Sequence, residues 1–109
     1  MRRPVVRDHL DMLLLAVLAG EPAHGYAAIE ELRRRSGDAF NLAEGTVYPA
    51  LHRLERGGLI QSEWTAATGR DRRIYRLTPG GRRVLKQKRQ EWEGFTAAVS
   101  RILLEGSPG

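Results

Sequence analysis

The sequence lacks cysteine altogether, so it can form neither disulfide bonds nor thiolate metal sites. It also lacks any apolar run that approaches the roughly 18 residues of a membrane span. The first residues, MRRPVV, are basic, but no long apolar region or small-residue cleavage site follows them. We therefore expect a cytoplasmic chain with no signal peptide and no membrane segment. With 109 residues, the chain fits one domain.

Catalytic and metal-binding patterns are also missing. The three histidines, His9, His24 and His52, are scattered and share no ligand spacing. We find no Ser/His/Asp arrangement, no phosphate loop and no paired-carboxylate site. The sequence therefore predicts neither an enzyme nor a bound metal or cofactor. A structural role at the start of a helix is the better interpretation of His24.

The positive charge is concentrated in one block. The chain carries a formal net charge of +5. Residues 66–89 hold nine Lys or Arg against Asp71 alone, whereas residues 1–65 are almost balanced. Such a block indicates either a solvated face or a nucleic-acid surface.

Apolar periodicity predicts three helices in the first half of the chain. The first is expected to begin after an N-cap at Asp8 and to end before Gly20 and Pro22. The second is expected over 23–35, with Tyr26, Ile29 and Leu32 on one face.

The third helix contains the segment GTVYPALHRLERGG, residues 45–58. Because successive residues of a helix are rotated by 100°, the apolar side chains fall on one arc of this helix, and glycine, proline, tyrosine and basic residues fall on the opposite face. Pro49 is tolerated if the helix begins at Val47, because first-turn amides lack helical partners. If the helix begins earlier, the missing bond falls on Gly45, whose backbone can adapt. The apolar arc comprises Val47, Ala50, Leu51 and Leu54; the opposite face comprises Gly45, Tyr48, Pro49, His52 and Arg56.

A change to period two follows the third helix. Residues 59–66 and 73–78 alternate as strands around a charged, glycine-containing turn, which predicts a β-hairpin with a basic tip. Thr78 and Pro79 then predict the start of a helix that runs to about Leu104. Along that helix, residues recur at spacings of three and four, which is typical of a dimer seam; they are Leu85, Lys88, Trp92, Phe95, Val99 and Ile102.

This order of elements predicts a mainly α fold with a small β-hairpin, namely a winged helix-turn-helix plus a long C-terminal dimerisation helix. We expect a flexible basic tail at 1–7, a DNA-binding domain at 8–78, the dimerisation helix at 79–104 and a tail at 105–109. In this architecture the third helix enters the major groove and the hairpin tip contacts the backbone or minor groove. A winged-helix protein-interaction module and a nonspecific nucleoid-type DNA binder are the alternatives.

Three segments resemble the PadR family of bacterial transcriptional regulators: LLLAVLAGEPAHGYAAIEEL, NLAEGTVYPALHRLERGGLIQSEW and GRDRRIYRLTPGGRRVL. The resemblance covers about residues 10–92 and implies a homodimer, here of the short-tailed branch with a single C-terminal helix. Two positions depart from the family pattern. Ala43 stands where the family often has a serine before the recognition helix, and Ile74 stands where it often has a tyrosine.

The resemblance implies a DNA site on the third helix and the wing: Thr46, Tyr48, Pro49, His52, Arg53, Arg70, Arg72 and Arg73. Some of these residues have an alternative, structural role. The alternatives are core packing for Tyr48, an ion pair with Glu55 or Glu44 for Arg53, and a solvated turn for the wing arginines.

The long helix is expected to supply the dimer interface, through Leu85, Trp92, Phe95, Val99 and Ile102. Some family members bind planar aromatic effectors through a tryptophan on the last helix. Trp92 and Phe95 are therefore candidate effector contacts, unless Trp92 is only an interface anchor. The function expected is that of a repressor that binds double-stranded DNA as a homodimer on an inverted repeat and is released by a ligand or signal.

Overall fold

A computed structural model describes the backbone of residues 3–66 and 72–105, and the side chains of residues 9–66 and 72–104. Within these ranges, four helices and three strands follow in the order α1, β1, α2, α3, β2, β3, α4. Their bounds are α1 Arg3–Gly20, β1 Ala23–His24, α2 Gly25–Arg35, α3 Glu44–Arg56, β2 Ile60–Thr65, β3 Arg72–Leu77 and α4 Pro79–Ser100. A turn of π-helix, Arg101–Glu105, extends α4.

The first helix begins earlier than predicted. It starts at Arg3, so Asp8 lies inside the helix rather than at its N-cap, and residues 3–7 are helical where a tail was expected. Pro4 is compatible with this start because the first amides of a helix have no helical partner. The predicted start was therefore wrong by six residues, since a helix capped by Asp8 would begin at His9.

The three strands form one antiparallel sheet in the order β1-β3-β2. The predicted hairpin is confirmed, with Ile60 opposite Leu77 at one end and Thr65 opposite Arg72 at the other. Ala23 and His24 were predicted to be helical, and this was wrong. They pair with β3, and His24 keeps the extended backbone of a helix N-cap.

The core lies where the inner faces of the helices meet the sheet. Among the described side chains it contains sixteen buried apolar residues, including Leu14 of α1, Ile29 of α2, Leu51 of α3 and Tyr75 of β3. Tyr26 was predicted on the inner face of α2 but is 59% exposed. The inner face instead follows the helical spacing from Gly25 through Ala28, Ile29 and Leu32, which leaves Tyr26 one residue off that face.

The start of α4 is confirmed. The Thr78 Oγ1 accepts a hydrogen bond from the Gly81 amide at 3.0 Å, and Pro79 occupies the first helical position. Leu85, however, is 2% exposed and packs in the core of its own chain. Its assignment to the dimer interface was wrong, because the first turns of α4 pack against α1 and β3.

Within residues 3–66 and 72–105, none of the helices combines the length and the apolar character that crossing a membrane requires.

Candidate nucleic-acid interface

The helix α3 begins before Val47, at Glu44, so the second explanation for Pro49 applies. The amides of Thr46 and Val47 donate to the Ala43 carbonyl at 3.0 and 3.1 Å. Proline lacks an amide hydrogen, so Pro49 cannot bond the Gly45 carbonyl. Ala43 makes no side-chain cap, as its departure from the family pattern suggests.

The predicted two-sided character of α3 is confirmed. Its apolar arc, from Val47 to Leu54, is buried. Pro49 and His52 on the other side are exposed, and Thr46 is half-buried. The outer face of α3 is therefore accessible to solvent at these positions.

Tyr48 packs on the start of α2. A Cβ atom added to Gly25 would lie 2.5 Å from Tyr48 Cε1 and 2.6 Å from its hydroxyl oxygen. The aromatic ring thus rests directly on the Gly25 backbone and remains half-buried. This contact fixes the ring at the junction of α2 and α3.

Arg53 forms an ion pair, although not with either glutamate considered from the sequence. Its Nη2 lies 2.6 Å from Asp11 Oδ1 of α1. Both side chains are partly exposed, so the pair contributes little to stability. The guanidinium therefore points toward α1 and lines a cleft that α1 shares with α4.

On the wing, Arg73 is connected to α3 by two hydrogen bonds that share the hydroxyl of Ser62. Its Nε donates to Ser62 Oγ at 2.7 Å, and that hydroxyl donates to Glu55 Oε2 at 2.5 Å. The Arg73 guanidinium also lies 5.2 Å from the centre of the Trp64 ring, a cation–π distance. These contacts hold the wing strands against the end of α3. Arg70, another candidate DNA contact, lies outside the described residues.

Arg72, at the start of β3, is exposed. Its Nη1 lies 2.8 Å from His24 Nε2. This contact joins the wing to the N-cap of α2. Burial and the nearby Arg72 charge, in that order, lower the pKa of His24 below 6.5.

The arginines of α2 differ from those near the outer face of α3 in their ion pairing. In α2, Arg33 pairs with Glu30 and Asp38, while Arg34 and Arg35 both bind Glu31. Hydrogen bonds from Arg34 and then Arg35 lower the pKa of Glu31 to about 2. By contrast, three arginines at the end of α3 and on the wing form no ion pair with a described carboxylate; these are Arg56, Arg72 and Arg73.

A cleft of about 610 Å³ separates the start of α2, the outer face of α3 and the wing. Aromatic and basic side chains line it, and no carboxylate of the described part of the chain does. It brings together four of the predicted DNA residues, namely Tyr48, His52, Arg72 and Arg73. It also contains residues that the sequence did not single out for this role: His24, Tyr26 and Trp64. Trp64 is 63% exposed, because β2 extends beyond the core.

A second cleft, of about 430 Å³, lies between α1, α3 and α4. Trp92, 40% exposed, contacts His9 edge to face at 5.0 Å and lies 6.0 Å from Phe95 between ring centres. Asp11 and Arg53 line the same cleft. The candidate effector residues therefore share a cavity with a side chain of α3.

The end of α4 presents more apolar surface than the predicted seam. Phe95 and Ile102 are exposed and Val99 is half-buried. Leu103 and Leu104 are also exposed, and the spacing of the seam did not include them.

Comparison with known proteins identifies the family. Residues 14–87 match the model of the transcriptional regulator PadR-like family. The chain belongs to this family. A transcriptional regulator from Mycobacterium tuberculosis is 40% identical over 98 residues, which cover 90% of this chain and 85% of that protein.

Solved structures of similar proteins share the fold. A transcriptional regulator from Clostridium thermocellum superposes with a TM-score of 0.85 at 30% identity, covering 94% of this chain and 98% of that one. A PadR family regulator from Eggerthella lenta has a TM-score of 0.81 at 35% identity, covering 93% and 87%. The predicted PadR family and the winged helix with a long C-terminal helix are thus confirmed. The protein is a transcriptional regulator and not an enzyme, and regulators of this family bind DNA.

Proposed function

We propose that this PadR-family regulator is a cytoplasmic homodimeric repressor that binds an inverted-repeat operator and leaves it when a ligand binds. The observation that carries the DNA part is the position of Arg56, Arg72 and Arg73 beside the exposed face of α3, without a carboxylate partner among the described side chains. Unpaired guanidinium groups are the donors that phosphates attract most strongly.

Docking on DNA assigns different tasks to α3 and the wing. The outer face of α3 enters the major groove, where Thr46, Tyr48, Pro49 and His52 contact base edges and thymine methyl groups. The wing arginines, including Arg70, contact phosphates or the minor groove. Arg53 reaches a phosphate only if it leaves Asp11, since the two are paired in the free protein.

The apolar end of α4 supports a homodimer. Exposed apolar surface costs about 25 cal/mol per Å² relative to burial, and a second copy of this face would cover it. The residues that would meet the partner are Trp92, Phe95, Val99, Ile102, Leu103 and Leu104. A two-fold dimer presents two copies of α3, so half-sites should be inverted repeats centred about 10 or 20 base pairs apart.

The cleft beside Trp92 supports release by a planar aromatic effector. Trp92 and Phe95 offer aromatic surfaces, and Arg53 of α3 lies in the same cavity. A ligand stacked there would contact α1, α3 and α4 together. It would therefore bind most tightly to one arrangement of these helices and shift the population toward it.

Selection of bound sequences from random duplex DNA tests the proposal and supplies the operator. Affinities for the operator and for random DNA are then measured at three salt concentrations. Arg72→Ala should weaken binding to both DNAs by the same factor. It should also make the fall of log K with log salt less steep, by about one unit of slope. His52→Ala should instead reduce the difference in affinity between operator and random DNA, by about 1–3 kcal/mol if a base contact is lost.

Arg34→Ala is the matched control, because it removes an arginine that is already paired within α2. It should leave both affinities nearly unchanged. If no sequence is enriched, or if Arg34→Ala weakens binding as much as Arg72→Ala, the DNA surface is assigned wrongly. Equal affinity for all sequences would favour the nucleoid-type alternative, and no binding would favour a protein-interaction module.

A further inference from the structure

The His24 ring lies between two groups that both donate hydrogen bonds. Its Nδ1 lies 3.2 Å from the Ala27 amide nitrogen and accepts the N-cap hydrogen bond of α2. An imidazole nitrogen that accepts carries no proton, so the proton of the neutral ring sits on Nε2. While this cap bond is made, the neutral ring is therefore the Nε2–H tautomer.

The selected tautomer points its proton at another donor. His24 Nε2 lies 2.8 Å from Arg72 Nη1, and a guanidinium has donors only. In the other tautomer, the two donors that face each other would be Nδ1 and the Ala27 amide. Neither tautomer satisfies both contacts, and the imidazolium satisfies neither. Consistent with this, the pKa of His24 is lowered, by burial first and by Arg72 second.

An acceptor atom would resolve the conflict. An oxygen placed beside both groups would accept from Nε2–H and from the guanidinium, while Nδ1 kept the cap. No described carboxylate fills this role, since Arg72 pairs with no carboxylate among residues 9–66 and 72–104 and none of those residues that line the cleft is acidic. The adjoining groove does contain Glu30 and Glu31, but Arg33, Arg34 and Arg35 already bind them.

We propose that His24 Nε2 and the Arg72 guanidinium form a two-donor site for one phosphate oxygen, supplied by a phosphodiester of the DNA backbone. This site depends on the proposed function, because DNA supplies its ligand. It joins α2 to the wing across the cleft beside α3, so the bound phosphate fixes the spacing between these elements. Because a phosphodiester carries no base identity, the site acts on affinity and orientation and leaves sequence preference to α3.

A double-mutant cycle tests the shared oxygen. His24→Ser keeps an N-cap acceptor but loses the second donor. It should weaken binding to operator and random duplexes by the same factor, about threefold to tenfold. In the Arg72→Ala background, His24→Ser should weaken DNA binding by less than about twofold, because the shared phosphate contact is already impaired. Full additivity of the two changes would overturn the proposal.

His52→Ser is the matched control, because it is the same substitution on the exposed face of α3. It should reduce the preference for the operator rather than lower both affinities. Melting temperatures establish that each variant is folded. If His24→Ser also reduced the preference for the operator and not the general affinity, His24 would contact a base and the phosphate site would be wrong.

Nitrogen NMR of histidine-labelled protein gives a readout that does not require an operator. The free protein should show His24 as the Nε2–H tautomer. Micromolar duplex, specific or random, should shift the Nε2 resonance and slow exchange of its proton. Inorganic phosphate without DNA should do so only at far higher concentration, because it lacks the other duplex contacts.

The outcomes separate this proposal from the proposed function. Specific DNA binding with an unchanged His24 resonance would refute the site and leave the regulator intact. A shift with inorganic phosphate but not with duplex would refute the DNA source and indicate a free anion. A shift with random duplex, in a protein that prefers no sequence, would retain the site and refute the operator.

Discussion

The contact between Gly25 and Tyr48 allows a sharp test of how α2 positions the recognition helix. In Gly25→Ala the new Cβ would lie 2.5 Å from Tyr48 Cε1, whereas ordinary contacts lie at 3.4–4 Å. The ring or the start of α2 must therefore move by about 1 Å. Overpacking of this kind costs about 1–3 kcal/mol. The gain from replacing a helical glycine, at most about 1 kcal/mol, offsets part of that cost.

We therefore expect Gly25→Ala to lower the free energy of unfolding by about 1–2 kcal/mol in chemical denaturation. In the Tyr48→Ala background the ring is gone, and the same change should be neutral or stabilising. Gly45→Ala is the control, because nothing lies within 4 Å of a Cβ at that position. It should not destabilise the protein.

The same substitution should also affect DNA. If Tyr48 contacts a base, displacing its ring in Gly25→Ala should reduce the preference for the operator by about tenfold, within the range of a base contact. An equal loss of stability with and without the Tyr48 ring would refute the packing argument. Lost stability with a full preference for the operator would show that the ring packs but does not contact bases.

Three further predictions concern the dimer, Arg53 and His24. Light scattering at micromolar concentration should report twice the chain mass, and Trp92→Ala should weaken the dimer, since truncating a buried aromatic costs about 3–5 kcal/mol; a monomer that still bound the operator specifically would contradict this. Asp11→Asn should cost less than about 1 kcal/mol of stability. If Arg53 contacts phosphate once released, Asp11→Asn should raise DNA affinity up to about fivefold. Glu63→Gln, which also removes one negative charge, is the control for net charge. In the Arg53→Gln background, Asp11→Asn should raise DNA affinity no more than Glu63→Gln does. Because the folded-state pKa of His24 is lowered, the unfolded chain binds its proton first, so wild-type stability should fall as pH drops through 6.5 toward that lowered pKa. His24→Asn, which keeps a cap acceptor, should lose less over that pH range in denaturant titrations, and parallel losses would refute the effect.

The parts of the fold that the sequence predicted correctly are those with local causes. The buried arc of α3 follows from side chains three and four residues apart, and the hairpin follows from alternation on either side of one turn. The start of α4 follows from two adjacent residues, Thr78 and Pro79. Ala23 and His24 were misassigned because their strand exists only through pairing with Tyr75 and Ile74, about fifty residues away.

The candidate site shows the same division. That His52 lies on the outer face of α3 could be inferred from helical geometry alone. The partner of Arg53 could not, because Asp11 is 42 residues distant and belongs to another helix. The contact between His24 and Arg72 spans 48 residues. Leu85 was misjudged for a related reason: a regular seam does not indicate which of its residues face the chain's own core.

Ion pairing, more than the number of arginines, defines the DNA-binding surface proposed for this protein. Arg33, Arg34 and Arg35 form the densest basic run, yet carboxylates on the same helix or in the following turn neutralise them. The wing has fewer adjacent arginines, but Arg72 meets an imidazole and Arg73 a hydroxyl and an indole. None of these direct partners carries negative charge, so the guanidinium groups of Arg72 and Arg73 remain available to phosphate, whereas Arg76 of the same strand pairs with Glu63. The same argument explains why Arg53, although it lies on α3, need not contribute to DNA affinity until Asp11 releases it.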